Sequence, residues 1–111
     1  PAADPRITPE ERAKLVKYLR DSEQQFVALL DAVSDDQWVW KPAPDRWSVG
    51  EVARHIVIAE DYLFEQADLA MKSPADAEWE AKTASKTALL ERALPDRSRR
   101  VQAPEPLNPL G

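Results

Sequence analysis

The sequence predicts an all-α fold, an antiparallel helical bundle, on three observations. Three stretches have the pattern of a helix capping box, a Ser or Thr followed three residues later by Glu or Gln, and they begin at Thr8, Ser34 and Ser48. Apolar residues after the first and third boxes recur at helical spacing. Prolines, which lack the backbone donor that a helix interior needs, separate and follow these stretches. We therefore expect two long helices joined by an irregular crossing.

Length and composition indicate one globular domain over residues 1–111. The chain is 43% hydrophobic and 32% charged, which is enough apolar material for a core and enough charge for solubility. Its 20 acidic and 15 basic residues give a formal charge of −5, which repels phosphate backbones and anionic lipid. The arginine cluster at 97–100 is too short to reverse that balance. We therefore expect neither nucleic acid nor a membrane as a partner.

The absence of some residue types excludes several kinds of site. With no cysteine, the chain has no disulfide, thiolate nucleophile or cysteine-ligated metal. With glycine only at Gly50 and Gly111, it has no phosphate-binding loop and no nucleophile elbow, so the catalytic residues stay unassigned. The longest apolar run, 56–59, is too short to span a bilayer. We expect a soluble protein.

The first long helix is predicted over about residues 8–33. Thr8 and Glu11 form its capping box, and Pro9 occupies a position where the helix tolerates proline. Its length would be about 37 Å at 1.5 Å per residue. Its apolar seam follows the four-three alternation of bundle helices and consists of Leu15, Leu19, Phe26, Leu29 and Val33, with Ser22 completing the spacing.

A short helical piece and then a second long helix follow. Ser34 and Gln37 repeat the capping pattern, after which Pro42 and Pro44 interrupt regular structure. The third box begins at Ser48, and this helix is expected over about 48–72. A weaker helical pattern predicts a shorter helix at about 83–94, followed by an extended, proline-rich tail at 95–111.

The second long helix is apolar nearly all round. Val52 and Ile56 lie on its main stripe, whereas Val57 and Ile58 fall outside it. A single antiparallel neighbour covers only one stripe, so such a helix needs several neighbours. We expect either a homodimer in which the 48–72 helices of two copies, flanked by the 8–33 helices, form a four-helix core, or further helices of a longer domain.

The only histidine, His55, lies on the flank of that stripe. A single histidine at a packed flank is most often a hydrogen-bonded structural residue, and the alternative is a metal ligand that binds through its neutral imidazole. Glu51, one turn earlier, is either a co-ligand or the third residue of the capping box. The tryptophans Trp38, Trp40 and Trp47 either anchor the ends of elements or line a substrate pocket.

The stretch WKPAPDRWSVGEVARHI, the preceding VSDDQW and the acidic Glu60 resemble the DinB-like superfamily of bacterial proteins. The resemblance is strong over about 8–72 and looser beyond. It implies a four-helix bundle that binds a divalent metal, nickel or zinc, through three histidines, with His55 as one ligand. The other two form a late His-x-x-x-His pair, which this chain lacks. We therefore expect a domain that continues after Gly111, and only weak metal binding by this chain alone.

The same resemblance implies a metal-dependent transferase or hydrolase that acts on a small molecule, including reactions with a low-molecular-weight thiol. The metal in such a site lowers the pKa of a bound water or thiol. These 111 residues alone are expected to be inactive. The alternative is a non-catalytic helical module for binding or assembly, in which His55 only packs. The compartment expected is the bacterial cytoplasm, or an exported location after signal removal.

Overall fold

The computed structural model describes residues 6–110, and within that range the fold is all-α, as predicted. It comprises α1 (Pro9–Asp31), α2 (Asp35–Val39), α3 (Val49–Met71), α4 (Trp79–Thr83), α5 (Lys86–Ala93) and a final 3-10 helix, Glu105–Leu107. The described chain divides into two compact units, residues 6–54 and residues 55–110. The unit boundary lies within α3, just before His55.

The first two helices begin at the predicted capping boxes. The Thr8 Oγ1 accepts a bond of 3.1 Å from the Glu11 amide, and the Glu11 carboxylate accepts one of 2.7 Å from the Thr8 amide. The same reciprocal pair joins Ser34 and Gln37 at 3.2 and 3.0 Å. Two otherwise unpaired amide donors are therefore satisfied at the start of each helix. The first helix ends at Asp31, two residues before the predicted bound.

The crossing before α3 is irregular, as the prolines predict. Residues 40–48 contain no helix, and the Arg46 amide donates to the Ala43 carbonyl at 3.0 Å across a turn at residues 44 and 45. The helix that follows, Val49–Met71, lies within one residue of the predicted 48–72 at each end. The irregular segment therefore ends at the third capping box, where α3 begins.

The region after α3 differs from the predicted single helix at 83–94. The helix α5, Lys86–Ala93, lies within the predicted bounds but begins three residues later, and an additional short helix, α4, precedes it with a turn at residues 84 and 85 between the two. The Asp76 carboxylate accepts from the Glu78 amide at 2.9 Å and from the Lys82 ammonium at 2.7 Å, which stabilises a helical start that the apolar pattern does not indicate. The predicted helix is therefore present with a later start, and α4, which follows the Asp76 bonds, is an additional helix that the apolar pattern did not predict.

The proline-rich tail is not extended throughout, which corrects a second expectation. Pro104 and Pro106 have the fixed φ that the first turn of a helix accepts, and the chain forms the 3-10 helix Glu105–Leu107 there. The Asn108 side chain then accepts from the Leu110 amide at 2.9 Å, a local turn that follows directly. Pro109 between them is fully buried.

Few side chains in the described residues are buried. The buried positions are Ser48, Ala53 and Pro109. Large apolar side chains on α1, α3 and α5 stay substantially exposed, including Leu19 at 68% and Phe64 at 76%. None of the described helices combines the length and the apolar character needed to cross a bilayer.

Candidate functional site

The start of α3 is fixed by a capping box reinforced by an ion pair. The Ser48 Oγ accepts from the Glu51 amide at 3.1 Å, and the Glu51 carboxylate accepts from the Ser48 amide at 2.8 Å. The Lys41 ammonium lies 3.3 Å from the other Glu51 oxygen. The Ser48 amide, and to a lesser degree Lys41, lower the pKa of Glu51. Both carboxylate oxygens are therefore engaged at the cap, which favours the structural interpretation of Glu51 over a co-ligand role.

The Trp38 indole packs against Gly50 in the first turn of α3. A Cβ built on Gly50 would lie 2.5 Å from the indole Nε1 and 2.7 Å from Cε2. Only a residue without a side chain therefore lets the ring approach the first turn of α3 so closely. Trp38 remains 39% exposed, and it acts as an anchor at the end of an element, one of the two roles considered for the tryptophans.

His55 lies six residues beyond the start of α3 and is half-buried. Its Nδ1 lies 2.7 Å from the backbone carbonyl oxygen of Leu107, 52 residues later in the sequence. A carbonyl oxygen can only accept, so Nδ1 carries the proton and donates. In the neutral ring, the lone pair is then on Nε2.

The tail residues around Leu107 explain how a carbonyl comes to lie at this position. The 3-10 helix ends at Leu107, and the last carbonyls of a helix have no partner within it. His55 supplies a donor for one of them. The local turn at Asn108 and the buried Pro109 follow directly after that carbonyl. The ring orientation of His55 is thus coupled to the fold of residues 104–110.

A complete metal site does not form within the described residues. Between residues 6 and 110 no group of three or more His, Asp or Glu side chains is placed to hold a metal ion. The whole sequence has one histidine, so a three-imidazole site cannot come from one copy of this chain. The geometry of His55 fits a single ligand, because metal-bound histidines generally donate their other N–H to a carbonyl or carboxylate. The residues of this chain can therefore supply one ligand of a three-histidine metal site but not all three.

Within residues 6–110, these features define an all-helical chain that orients one imidazole from the long helix α3. The chain belongs to the DinB superfamily, whose family model matches residues 8–104. The resemblance inferred from the tryptophan, proline and histidine pattern is therefore confirmed. Comparison with curated proteins and with solved structures found no match.

Sequence reasoning identified His55 as the candidate ligand but missed its partner. The bond from His55 goes to a backbone atom, and no side-chain type at position 107 is required to supply a carbonyl. The proline content of 104–109 indicated only that regular helix would stop there. A signal did exist in Pro104 and Pro106, whose spacing suits a tight turn, but it does not specify what that turn contacts.

Proposed function

We propose that His55 is one ligand of a divalent-metal site of the DinB type, with nickel or zinc as the metal, in a protein that transfers or hydrolyses groups on a small molecule. Reactions with a low-molecular-weight thiol fall within this class. The observation that carries the proposal is the 2.7 Å hydrogen bond from the His55 Nδ1 to the Leu107 carbonyl. It fixes the tautomer in which Nε2 has the lone pair.

Two properties of this bond support a ligand role. The acceptor is a backbone carbonyl at the end of a 3-10 helix, two residues before the buried Pro109, and the bond to it restricts rotation of the ring about its side-chain bonds. A ligand held in advance loses less conformational entropy when a metal binds. The superfamily membership supplies the second support, because His55 occupies the helix-borne position of the quoted motif.

The remaining ligands are proposed to come from outside these 111 residues. A three-histidine site needs two further imidazoles, and the sequence contains none. A single imidazole does not hold a first-row metal tightly in competition with water. The 111-residue chain should therefore bind zinc or nickel weakly, at His55.

The test is zinc titration of the isotopically labelled chain by NMR, with His55→Asn and His55→Ala as variants. The asparagine amide in the first variant can still donate to the Leu107 carbonyl but lacks the distal nitrogen of imidazole. We expect saturable zinc shifts at His55 in the parent chain and their loss in both variants. Glu51→Gln is the control, and it should leave the zinc shifts at His55 in place because that carboxylate serves as a cap.

Two results would overturn the proposal. Zinc shifts that are centred elsewhere and persist in His55→Asn would show that His55 is not the ligand. Tight, stoichiometric binding by the 111-residue chain would show that the other ligands do not have to come from outside it.

A second candidate function is a non-catalytic helical module in which His55 only secures the tail. The observation that favours it is the hydrogen bond from His55 to the Leu107 carbonyl, which is part-buried and joins α3 to a segment 52 residues later in the sequence. In that case His55→Asn should match the parent chain in every respect, and zinc should produce no saturable shifts at His55 in the parent chain.

A further inference from the structure

The arginine cluster at residues 97–100 lies in an exposed, irregular segment between α5 and the final 3-10 helix. Residues 94–102 are exposed throughout, and Val101, directly after the cluster, is 91% exposed. The Ser98 amide donates to the Asp96 carboxylate at 2.9 Å. From residue 99 to residue 103, the structure as described gives the backbone amides no hydrogen-bond acceptor. The chain just after the cluster is therefore not held by local bonds.

Exposed backbone of this kind is what an endoprotease cuts. A bond inside a helix must first open before it can enter the cleft of the enzyme, whereas a bond in an irregular exposed loop needs no such opening. An arginine side chain also fits the specificity pocket of trypsin-like enzymes, which has a carboxylate at its base. The segment thus combines an accessible backbone with the side chain that these enzymes select.

The other arginines of the described chain lie inside regular structure or directly before it. Four of them are within helices: Arg12, Arg20, Arg54 and Arg92. Arg6 and Arg46 each precede a capping box by two residues. The amides of Thr8 and Ser48, which start those boxes, donate to glutamate side chains at 2.7 and 2.8 Å. A protease would have to break these caps to bind the chain at Arg6 or Arg46.

The lysines are held in a similar way. Lys41 pairs with Glu51 at 3.3 Å and is followed by proline. The bond after Lys72 lies in a turn that is fixed by hydrogen bonds from the Lys72 and Ser73 amides to carbonyls of α3. The remaining lysines lie within helices: Lys14, Lys17, Lys82 and Lys86. The cluster at 97–100 is therefore the most accessible site for a trypsin-like enzyme in the described chain.

The segment that follows the cluster is the one that holds His55. The Leu107 carbonyl accepts from the His55 Nδ1 at 2.7 Å, and Pro109 is fully buried. In the intact chain these contacts form within one molecule. After a cut they would have to hold two separate chains together, which costs translational and rotational freedom. One hydrogen bond and one buried proline side chain support a Kd no tighter than about 1 mM.

We propose that residues 97–100 are the processing site of a trypsin-like endoprotease, and that the cut releases the tail from His55. Water adds across a peptide bond such as Arg100–Val101, which leaves a carboxylate on Arg100 and an amine on Val101. The fragment that begins there carries Leu107 and Pro109 away with it. The proposal requires no metal and does not depend on the ligand role of His55.

Brief digestion with trypsin, followed by mass spectrometry of the fragments, tests the site. The first cuts should fall after Arg97, Arg99 or Arg100, at least about tenfold faster than at any other site. This preference should disappear when the chain is unfolded in urea. Replacing all three arginines of the cluster by glutamine should abolish the early cut, and the control Arg46→Gln should keep it. A first cut in another segment, or an early cut that survives the triple replacement, would overturn the proposal.

The imidazole signals of His55 test the release. In the cut chain, the fragment that ends at the cluster should separate from the tail on gel filtration at micromolar concentration, and the NMR signals of the His55 ring should change. The uncut triple glutamine variant should keep the ring signals of the parent chain, because those arginines do not contact His55. A tail that still co-elutes after the cut, with unchanged His55 signals, would show that cleavage does not release it.

Discussion

Replacing Gly50 by alanine should destabilise the chain, although alanine is the better helix former. Alanine in place of glycine stabilises a helix interior by about 1 kcal/mol. The added methyl group, however, would lie 2.5, 2.7 and 3.0 Å from three atoms of the Trp38 ring. Contacts of this kind settle near 3.5 Å, so the indole must move by about 1 Å. Overpacking typically costs about 1–3 kcal/mol, and the balance is a net loss of about 1 kcal/mol.

A double-mutant cycle followed by circular dichroism in urea measures this balance. Gly50→Ala should lower the free energy of unfolding in the parent chain. In a Trp38→Leu background the rigid ring is gone, so the same substitution should be neutral or stabilising by up to about 1 kcal/mol. The sign of the effect therefore depends on Trp38. If Gly50→Ala stabilises the parent chain, or has the same effect in both backgrounds, the close contact does not govern this site.

Three further predictions concern the α3 cap and His55. Ser48→Ala removes the hydroxyl that accepts from the Glu51 amide and should cost about 1 kcal/mol, a fall in Tm of about 4 °C by thermal denaturation. The pKa of Glu51 is lowered from 4.5 in the folded chain, so the stability that this carboxylate contributes should be present above about pH 4.5 and be lost as the pH falls through the folded-state pKa. Lys41→Met should raise the pKa of Glu51 part of the way towards 4.5, as measured by NMR titration of the carboxyl group. His55→Ala should destabilise the 104–110 segment by about 1 kcal/mol in hydrogen exchange, and His55→Asn should restore protection.

Each of these predictions has a control. Ser22→Ala removes a hydroxyl that bonds only to the Leu19 carbonyl inside α1, so this substitution should not destabilise. A Tm loss equal to that of Ser48→Ala would show that capping is not the cause. Glu51→Gln should flatten the acid side of the stability profile, and an unchanged profile would mean that other carboxylates account for it. Equal protection of the tail in His55→Ala and the parent chain would remove the structural role of the bond.

The parts of the fold that the sequence predicts are those governed by local contacts. All three capping boxes join residues three apart, and each is present with both reciprocal bonds. The bounds of α1 and α3 follow from these caps and from the prolines, and they agree with expectation within two residues. Family membership also followed from a local pattern, the spacing of Trp47 and His55 around the third box.

The parts that sequence reasoning missed depend on contacts between distant residues or on short-range polar bonds without an apolar pattern. The close approach of Trp38 to Gly50 joins two elements across the proline crossing, and a glycine near the start of a helix does not by itself indicate which side chain packs against it. The bond from His55 to Leu107 uses a backbone acceptor, which leaves no trace in residue type. The bonds of the Asp76 carboxylate just before α4 are of a kind that ordinary surface residues also make, so they do not predict a helix.

The tautomer of His55 is the property on which the proposed ligand role depends most directly. Because the chain has one histidine, a long-range nitrogen–proton correlation spectrum of the labelled chain contains a single imidazole. In a solution basic enough to keep the ring neutral, we expect Nδ1 to show the shift of a protonated nitrogen and Nε2 that of an unprotonated one, because Nδ1 donates to the Leu107 carbonyl. A ring that carries its proton on Nε2 would contradict both the hydrogen bond and the ligand role proposed for His55.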